Sequence, residues 1–261
     1  MNPRARSGPS ARSLSPVGPA WMLMAPVNPR RPGAASIQSP SAREPSSLFD
    51  RRVHEEALTR WQRGWSAARG WTDYQQVDDV TVVRVGEPER RVEYVATEAQ
   101  ATAAAHLALT DSNPPGTSWL AITTDDPARL AANLKPLEPL RTEWLMTITL
   151  ADHASHPVPP PYTLELSATP SIIDAQIYGY GEIAATGRMS VLHTGAVADQ
   201  ITTTPAHRHR GLARALMTAL ARAAQTPTAY LSASPAGRPL YESLGWTTLT
   251  PLLVARTSTN Y

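Results

Sequence analysis

Apolar positions recur along the chain at two periods, and the changes between them outline its elements. Asp50 reads as a helix N-cap. After it Leu58, Trp61 and Trp65 return at helical spacing until Gly70 stops the run. The spacing predicts an amphipathic helix with an aromatic stripe. Val80 to Val85 and Arg91 to Ala96 read as strands joined by a turn with Gly86 and Pro88. Thr97 opens an alanine-rich helix that reaches about Leu109 and breaks at Asn113-Pro114-Pro115-Gly116. Trp119 to Thr123 predicts a strand. Asp126-Pro127 starts a short helix, because proline at the first helical position gives up only an N–H that has no partner there. Pro136 and Pro139 end it, and Trp144 to Leu150 is a further strand.

The pattern then pauses. Residues 153–161 are proline-rich and read as a linker between two halves. Beyond it Tyr162 to Ser167, Ile172 to Tyr178, Ile183 to His193 and Ala196 to Thr203 predict successive strands. Leu212 to Ala224 is a helix whose Leu212, Leu216, Met217 and Leu220 form one apolar stripe. Ala229 to Ser232, Gly237 to Leu244 and Thr247 to Val254 predict a strand, a short helix and a last strand. Both halves thus run strands, alanine-rich helix, strand, short proline-bearing helix, strand, which suggests an internal duplication. The expected organisation is a disordered extension over 1–48, an N-terminal α/β half over 49–152, the linker, and a second half over 162–261.

Composition narrows the classes. Residues 1–48 are rich in Pro, Ser, Arg and Ala without periodicity, too little apolar surface to offset the entropy of ordering. The short apolar stretch Ala20 to Val27, interrupted by Pro26, is a poor signal peptide, so a cytoplasmic chain is expected. No apolar run approaches the ~20 residues that cross a bilayer. With no cysteine, disulfides, thiolate metal sites and cysteine nucleophiles are excluded. His153 and His156 lack acidic or histidine partners nearby, so no metal site is expected. The 24 basic residues nearly balance 22 acidic ones, which argues against a nucleic-acid binder.

The informative run is Ile201-Thr202-Thr203-Thr204-Pro205-Ala206-His207-Arg208-His209-Arg210-Gly211-Leu212-Ala213-Arg214. A strand feeds a loop that opens directly into a helix, whose first N–H groups are unpaired and carry partial positive charge. Gly211 lets backbone approach an anion, Ala213 keeps the next turn narrow, and Arg208, Arg210 and Arg214 add charge. A nucleotide P-loop is excluded by the absence of its lysine, and a dinucleotide fingerprint by the missing glycines. His207 and His209 read as exposed.

Arg208, Gly211 and Ala213 match the Arg/Gln-x-x-Gly-x-Gly/Ala signature of the GCN5-related N-acetyltransferases (GNATs). Ser234 to Trp246, with Leu240-Tyr241-Glu242-Ser243-Leu244-Gly245-Trp246, resembles that family's later motif. The resemblance covers about residues 160–255. It implies a splayed mixed β-sheet flanked by helices, an α/β fold in which acetyl-CoA sits as co-substrate. The strand at Ile201 and Thr203 would pair with the pantetheine arm. The N–H groups from His209 through Arg210, Gly211 and Leu212 to Ala213, with Arg208, would hold the pyrophosphate. Ser234 stands where the family often has asparagine. Tyr241 matches the tyrosine that serves as general acid.

The resemblance fixes no general base. Asp199, two residues before Ile201 and by period two on the same face, is the candidate, with Glu182 and Glu143 as alternatives. The implied activity is N-acetylation of a primary amine by direct attack, in a monomer or homodimer that binds neither nucleic acid nor membrane. The alternative is a non-catalytic acyl-CoA-binding sensor or interaction module.

Overall fold

A single mixed sheet of eleven strands organises residues 48–259, the part of the chain that the computed structural model describes. The extension expected over 1–48 lies, apart from Leu48, outside the described residues, as does the stretch Ala20 to Val27. The first elements are α1 (Leu48–Arg69), β1 (Tyr74–Val77), β2 (Val80–Glu87), β3 (Arg90–Thr97), α2 (Ala101–Thr110), β4 (Ser118–Thr123), α3 (Pro127–Asn133) and β5 (Glu138–Thr149). Then come β6 (Thr163–Ala168), β7 (Ile172–Gly179), β8 (Glu182–Leu192), β9 (Gly195–Thr203), α4 (Leu212–Ala224), β10 (Thr228–Ala233), α5 (Arg238–Glu242) and β11 (Thr247–Arg256).

Local signals explain most of these bounds. Thr97 and Gln100 form a reciprocal capping pair ahead of α2, and the Asp126 side chain accepts from Arg129 N–H at 3.0 Å at the start of α3. Three bounds differ from expectation. The first helix begins at Leu48, so Asp50 lies inside its first turn instead of capping it. β1 is a polar edge strand, Tyr-Gln-Gln-Val, with no apolar alternation to announce it. β5 starts at Glu138 instead of Trp144, because Pro139 falls at an irregularity in the pairing with β11, where the ladder does not need its N–H.

The strand order is β1-β2-β3-β4-β11-β5-β10-β9-β8-β7-β6. Read inward from either edge, the sequence of strands repeats. Two parallel pairs, β3 with β4 and β9 with β10, are each connected by a helix, α2 and α4. The last strands are exchanged: β11 lies between β4 and β5, and β5 lies between β11 and β10. Only β6 lacks a counterpart. This is the order a duplicated lobe with exchanged terminal strands would have, and we propose a duplication on that ground.

Alternate side chains decide what covers each face. Met146, Ile148, Ile173, Ala175 and Ile177 pack under α4 with its buried Leu212, Leu216, Met217 and Leu220. Leu120, Ile122 and Leu253 meet α2 and α3 in a second cluster. Leu145, Ala121, Leu252, Val197 and Tyr230 point the other way, against Leu58, Trp61 and Trp65 of α1. Each such fully buried aliphatic side chain contributes about 1.5–3 kcal/mol over an exposed one. The expected linker at 153–161 is tied along α4: His156 N–H donates to Thr218 Oγ1 at 3.0 Å, and Arg222 donates to Ser155 Oγ at 2.6 Å.

Candidate active site

The two parallel strand pairs differ. β3 and β4 stay paired through six residue pairs, from Val92 with Ser118 to Thr97 with Thr123. β9 and β10 pair only at Ala196 with Ala229 and at Val197 with Tyr230, then part. Beyond that point residues 198–203 of β9 and 231–233 of β10 form the walls of a V. β8 still holds the outer edge of β9, and Thr204 N–H donates to Ala184 O at 2.9 Å. By alternation along the strand, the backbone groups of Thr203 therefore turn toward the V. A strand edge of this kind can pair with an extended ligand carrying amide groups.

A bulge lies within the parted stretch of β9. Gln200 has φ of 57°, and the pairing of β9 with β8 slips between Asp199 and Thr202. The slip corrects the expectation that Asp199 and Ile201 share a face. Ile201 packs beside Leu216 and Leu220 on the α4 side, where the missing side chain of Gly187 leaves it room. Asp199 points to the α1 side, where Arg69 Nε and Nη2 donate to its two oxygens at 2.7 and 3.1 Å.

At the wide end of the V, β9 leads into the loop before α4. His209 and Gly211 both have left-handed backbone, φ 62° and 78°. Among the described residues, no hydrogen bond occupies the N–H groups of His209, Arg210 and Gly211. With the first turn of α4 they form a concave set of donors suited to an anion. Nothing lies within 4 Å of where a Gly211 Cβ would stand, so glycine here serves the φ and the open approach. Arg208 and Arg214 flank the loop. Arg208 Nε approaches Thr203 O at 3.4 Å, and Arg214 reaches Ser243 Oγ at 3.3 Å. Leu212 is buried and Ala213 half-buried, so they contribute through backbone.

Tyr241, on α5, is buried beneath the opposite wall and meets Trp246 edge-on at 6.2 Å. Burial, and then the negative charge of Asp199, raise the phenol above its ordinary pKa of 10.0. Ser234, at the end of β10, accepts the Gly237 N–H at 3.1 Å, so its hydroxyl caps the turn into α5.

On the α1 side, Glu143 accepts from Arg141 at 2.6 Å and from Ser232, on the β10 wall, at 2.5 Å. Arg90 lies over Trp65 and Trp119, 5.0 and 4.9 Å from the ring centroids, and pairs with the buried Glu93. A polar cavity of about 180 Å³ beside the bulge is lined by Asp174, Gln176, Thr186, Arg188 and Gln200. Glu182 sits apart from Asp199, hydrogen-bonded to His207. His207 is 4 % exposed, which corrects its reading as an exposed histidine. Its partner Tyr162 was missed: the two are 45 residues apart, and no local pattern joins them.

Among the described residues, no three His, Asp or Glu side chains are placed to hold a metal, and no helix is long and apolar enough to cross a membrane.

Comparison with solved structures identifies the architecture. The chain is similar to a GCN5-related N-acetyltransferase from Kribbella flavida, with TM-score 0.59 and 10 % identity over 78 % of this chain and 95 % of that one. It is similar to a functionally unknown conserved protein from Staphylococcus epidermidis, with TM-score 0.52 and 10 % identity over 70 % and 92 %. A GCN5-related N-acetyltransferase-like protein from Streptococcus suis gives 0.50 and 13 % over 80 % and 98 %. At these identities the likeness is one of fold: a GNAT-like mixed sheet flanked by helices. The family model of the acetyltransferase (GNAT) domain matches residues 172–248, so the half that contains the V and the anion loop carries the GNAT domain. No curated protein matches the chain.

Proposed function

We propose that the protein transfers an acetyl group from acetyl-CoA to a primary amine. One observation carries the reading: β9 and β10 part after two residue pairs, directly below a left-handed loop of free N–H donors. An extended pantetheine arm fits the open edge of β9 at Ile201 and Thr203. A pyrophosphate fits the N–H groups from His209 to Ala213, with Arg208 beside them. The first half offers neither feature. Its parallel strands stay paired, and Glu98 stands at the entrance to its helix, where an anion would be repelled.

The chemistry is direct aminolysis of the thioester. The amine nitrogen forms a bond to the acetyl carbon, the carbon–sulfur bond breaks, and the sulfur leaves with the electron pair. Tyr241, which burial keeps protonated, is the donor we propose for the thiolate's proton. The nitrogen loses a proton on the other side of the V, where Asp199 is the acceptor we propose and Glu143 the neighbouring carboxylate. Asp199 would have to loosen its fork with Arg69 to act. The amine enters from the α1 side, beside the polar cavity at Gln200. We place this reaction in the cytoplasm.

The test is thiol release from acetyl-CoA across a panel of small-molecule and peptide amines, beside calorimetric binding of acetyl-CoA. Amine-dependent release is expected. Binding without turnover by any amine would favour the non-catalytic acyl-CoA-binding module, a reading to which the engagement of Asp199 by Arg69 lends some weight. No binding would remove both.

A further inference from the structure

Arg210 is anchored. Its Nη1 donates to the Tyr162 hydroxyl at 2.9 Å, and this is the hydrogen bond that fixes its guanidinium among the described residues. The same hydroxyl lies 3.0 Å from His207 Nδ1, and His207 Nε2 lies 2.8 Å from Glu182 Oε1. A guanidinium can only donate, so the Tyr162 oxygen accepts. Its own hydrogen then goes to Nδ1, and a ring that accepts at Nδ1 carries its proton on Nε2, where it donates to the carboxylate. Every donor has one acceptor, in a single direction from cation to anion.

The surroundings hold this chain in place. Tyr162 is 8 % exposed and lies against Gly179, where an added Cβ would come within 2.3 Å of its ring. Tyr180, from the β7–β8 turn, stacks on the His207 ring at 6.3 Å and 27°. Three separate parts of the sequence, Tyr162, the stretch from Gly179 to Glu182 and His207, therefore meet beside one arginine of the loop, and none of these side chains lines the V.

We propose that Tyr162, His207 and Glu182 are positioning residues that hold Arg210 ready for the pyrophosphate of acetyl-CoA. The inference rests on the acetyl-CoA reading above. A flexible arginine must be immobilised when it meets a ligand, whereas one already fixed avoids that loss. Nε and Nη2 remain available to the anion once Nη1 is tethered.

The test compares acetyl-CoA with S-acetyl-pantetheine, which has the thioester arm and no phosphate. Tyr162→Phe keeps the ring against Gly179 and removes only the hydroxyl. It is expected to weaken acetyl-CoA binding about 3- to 10-fold and to leave the affinity for S-acetyl-pantetheine at the wild-type value. Glu182→Gln is expected to act in the same direction with smaller effect. Tyr162→Phe combined with Arg210→Ala should bind acetyl-CoA no more weakly than Arg210→Ala alone. Wild-type acetyl-CoA affinity in Tyr162→Phe would overturn the proposal, as would an equal loss for both ligands, which marks a purely structural role. Failure of the unaltered protein to bind acetyl-CoA is a different result: it overturns the underlying reading and this inference with it.

Discussion

Arg69 holds Asp199 in a two-pronged grip, Nε to Oδ2 at 2.7 Å and Nη2 to Oδ1 at 3.1 Å, joining the end of α1 to β9 where the V begins. The pair is mostly buried, with side-chain exposures of 24 % and 14 %, so the bond is worth more than a surface ion pair. Asp199→Asn is expected to cost about 1.5–3 kcal/mol in urea denaturation. If Asp199 also accepts the amine's proton, turnover of the folded variant falls by about 100-fold. Full turnover alongside lost stability would make the aspartate a clamp and take it out of the chemistry.

Gly211→Glu places a carboxylate at the mouth of the donor loop. Its Cβ meets no neighbour within 4 Å, so the fold survives with a strain of about 1–2 kcal/mol from the left-handed backbone. Acetyl-CoA affinity is expected to fall by about 100-fold or more, since the new charge faces the anion that the helix start would attract. Calorimetry showing unchanged affinity would move the pyrophosphate elsewhere.

Tyr241→Phe retains the buried ring and its contact with Trp246. Turnover is expected to drop about 100- to 10,000-fold while acetyl-CoA still binds. Because the phenol titrates above its ordinary value of 10.0, the wild-type kcat profile should show no alkaline limb from this group below that pH. Turnover equal to the wild type would assign the proton to another donor.

Arg90 and Glu93 form a buried pair on the α1 side, with side-chain exposures of 13 % and 1 %. Burial, and then the charges of Arg69 and Arg141, push the Arg90 guanidinium well below its ordinary pKa, so its charge is held at a cost. Arg90→Met is expected to destabilise by about 3–5 kcal/mol, because Glu93 is left buried without its cation. Adding Glu93→Leu should restore most of that. If the double variant is as unstable as the single one, packing against Trp65 and Trp119 matters more than the charge.

His153 sits edge-on to Trp246 at 6.4 Å, and burial lowers its pKa below the ordinary 6.5. The folded protein then binds fewer protons than the unfolded chain in the window below 6.5. Stability is in full above that pH and declines as pH falls through the folded value. The thermal midpoint should drop between pH 7 and 5, and His153→Gln should flatten the slope. An identical slope in the variant would place the proton uptake at another group.

Elements carried by neighbouring residues were legible in the chain itself. The stripe of Leu212, Leu216, Met217 and Leu220 marked α4 to the residue, and the run from Arg208 to Ala213 marked its entry loop. Leu58, Trp61 and Trp65 were recognisable as core for the same reason. The edge strand β1 was not, since a polar strand at a sheet margin has no buried face to leave a pattern. Pro139 concealed the start of β5 because proline ordinarily argues against a central strand.

Periodicity and contiguous motifs thus outlined the helices, most strands and the loop before α4, because each depends on residues within a few positions of one another. Long-range pairing settled the rest. A single slip at Gln200 turned Ile201 and Asp199 to opposite faces, which period two could not anticipate. The early parting of β9 from β10 gives the second half a V that the fully paired β3 and β4 of the first half do not form. The chain from Arg210 to Glu182 exists because β6, β8 and the loop before α4 reach one end of the sheet together. Contacts of that kind are set by how strands are ordered and registered across the sheet, and no local stretch of sequence carries that order.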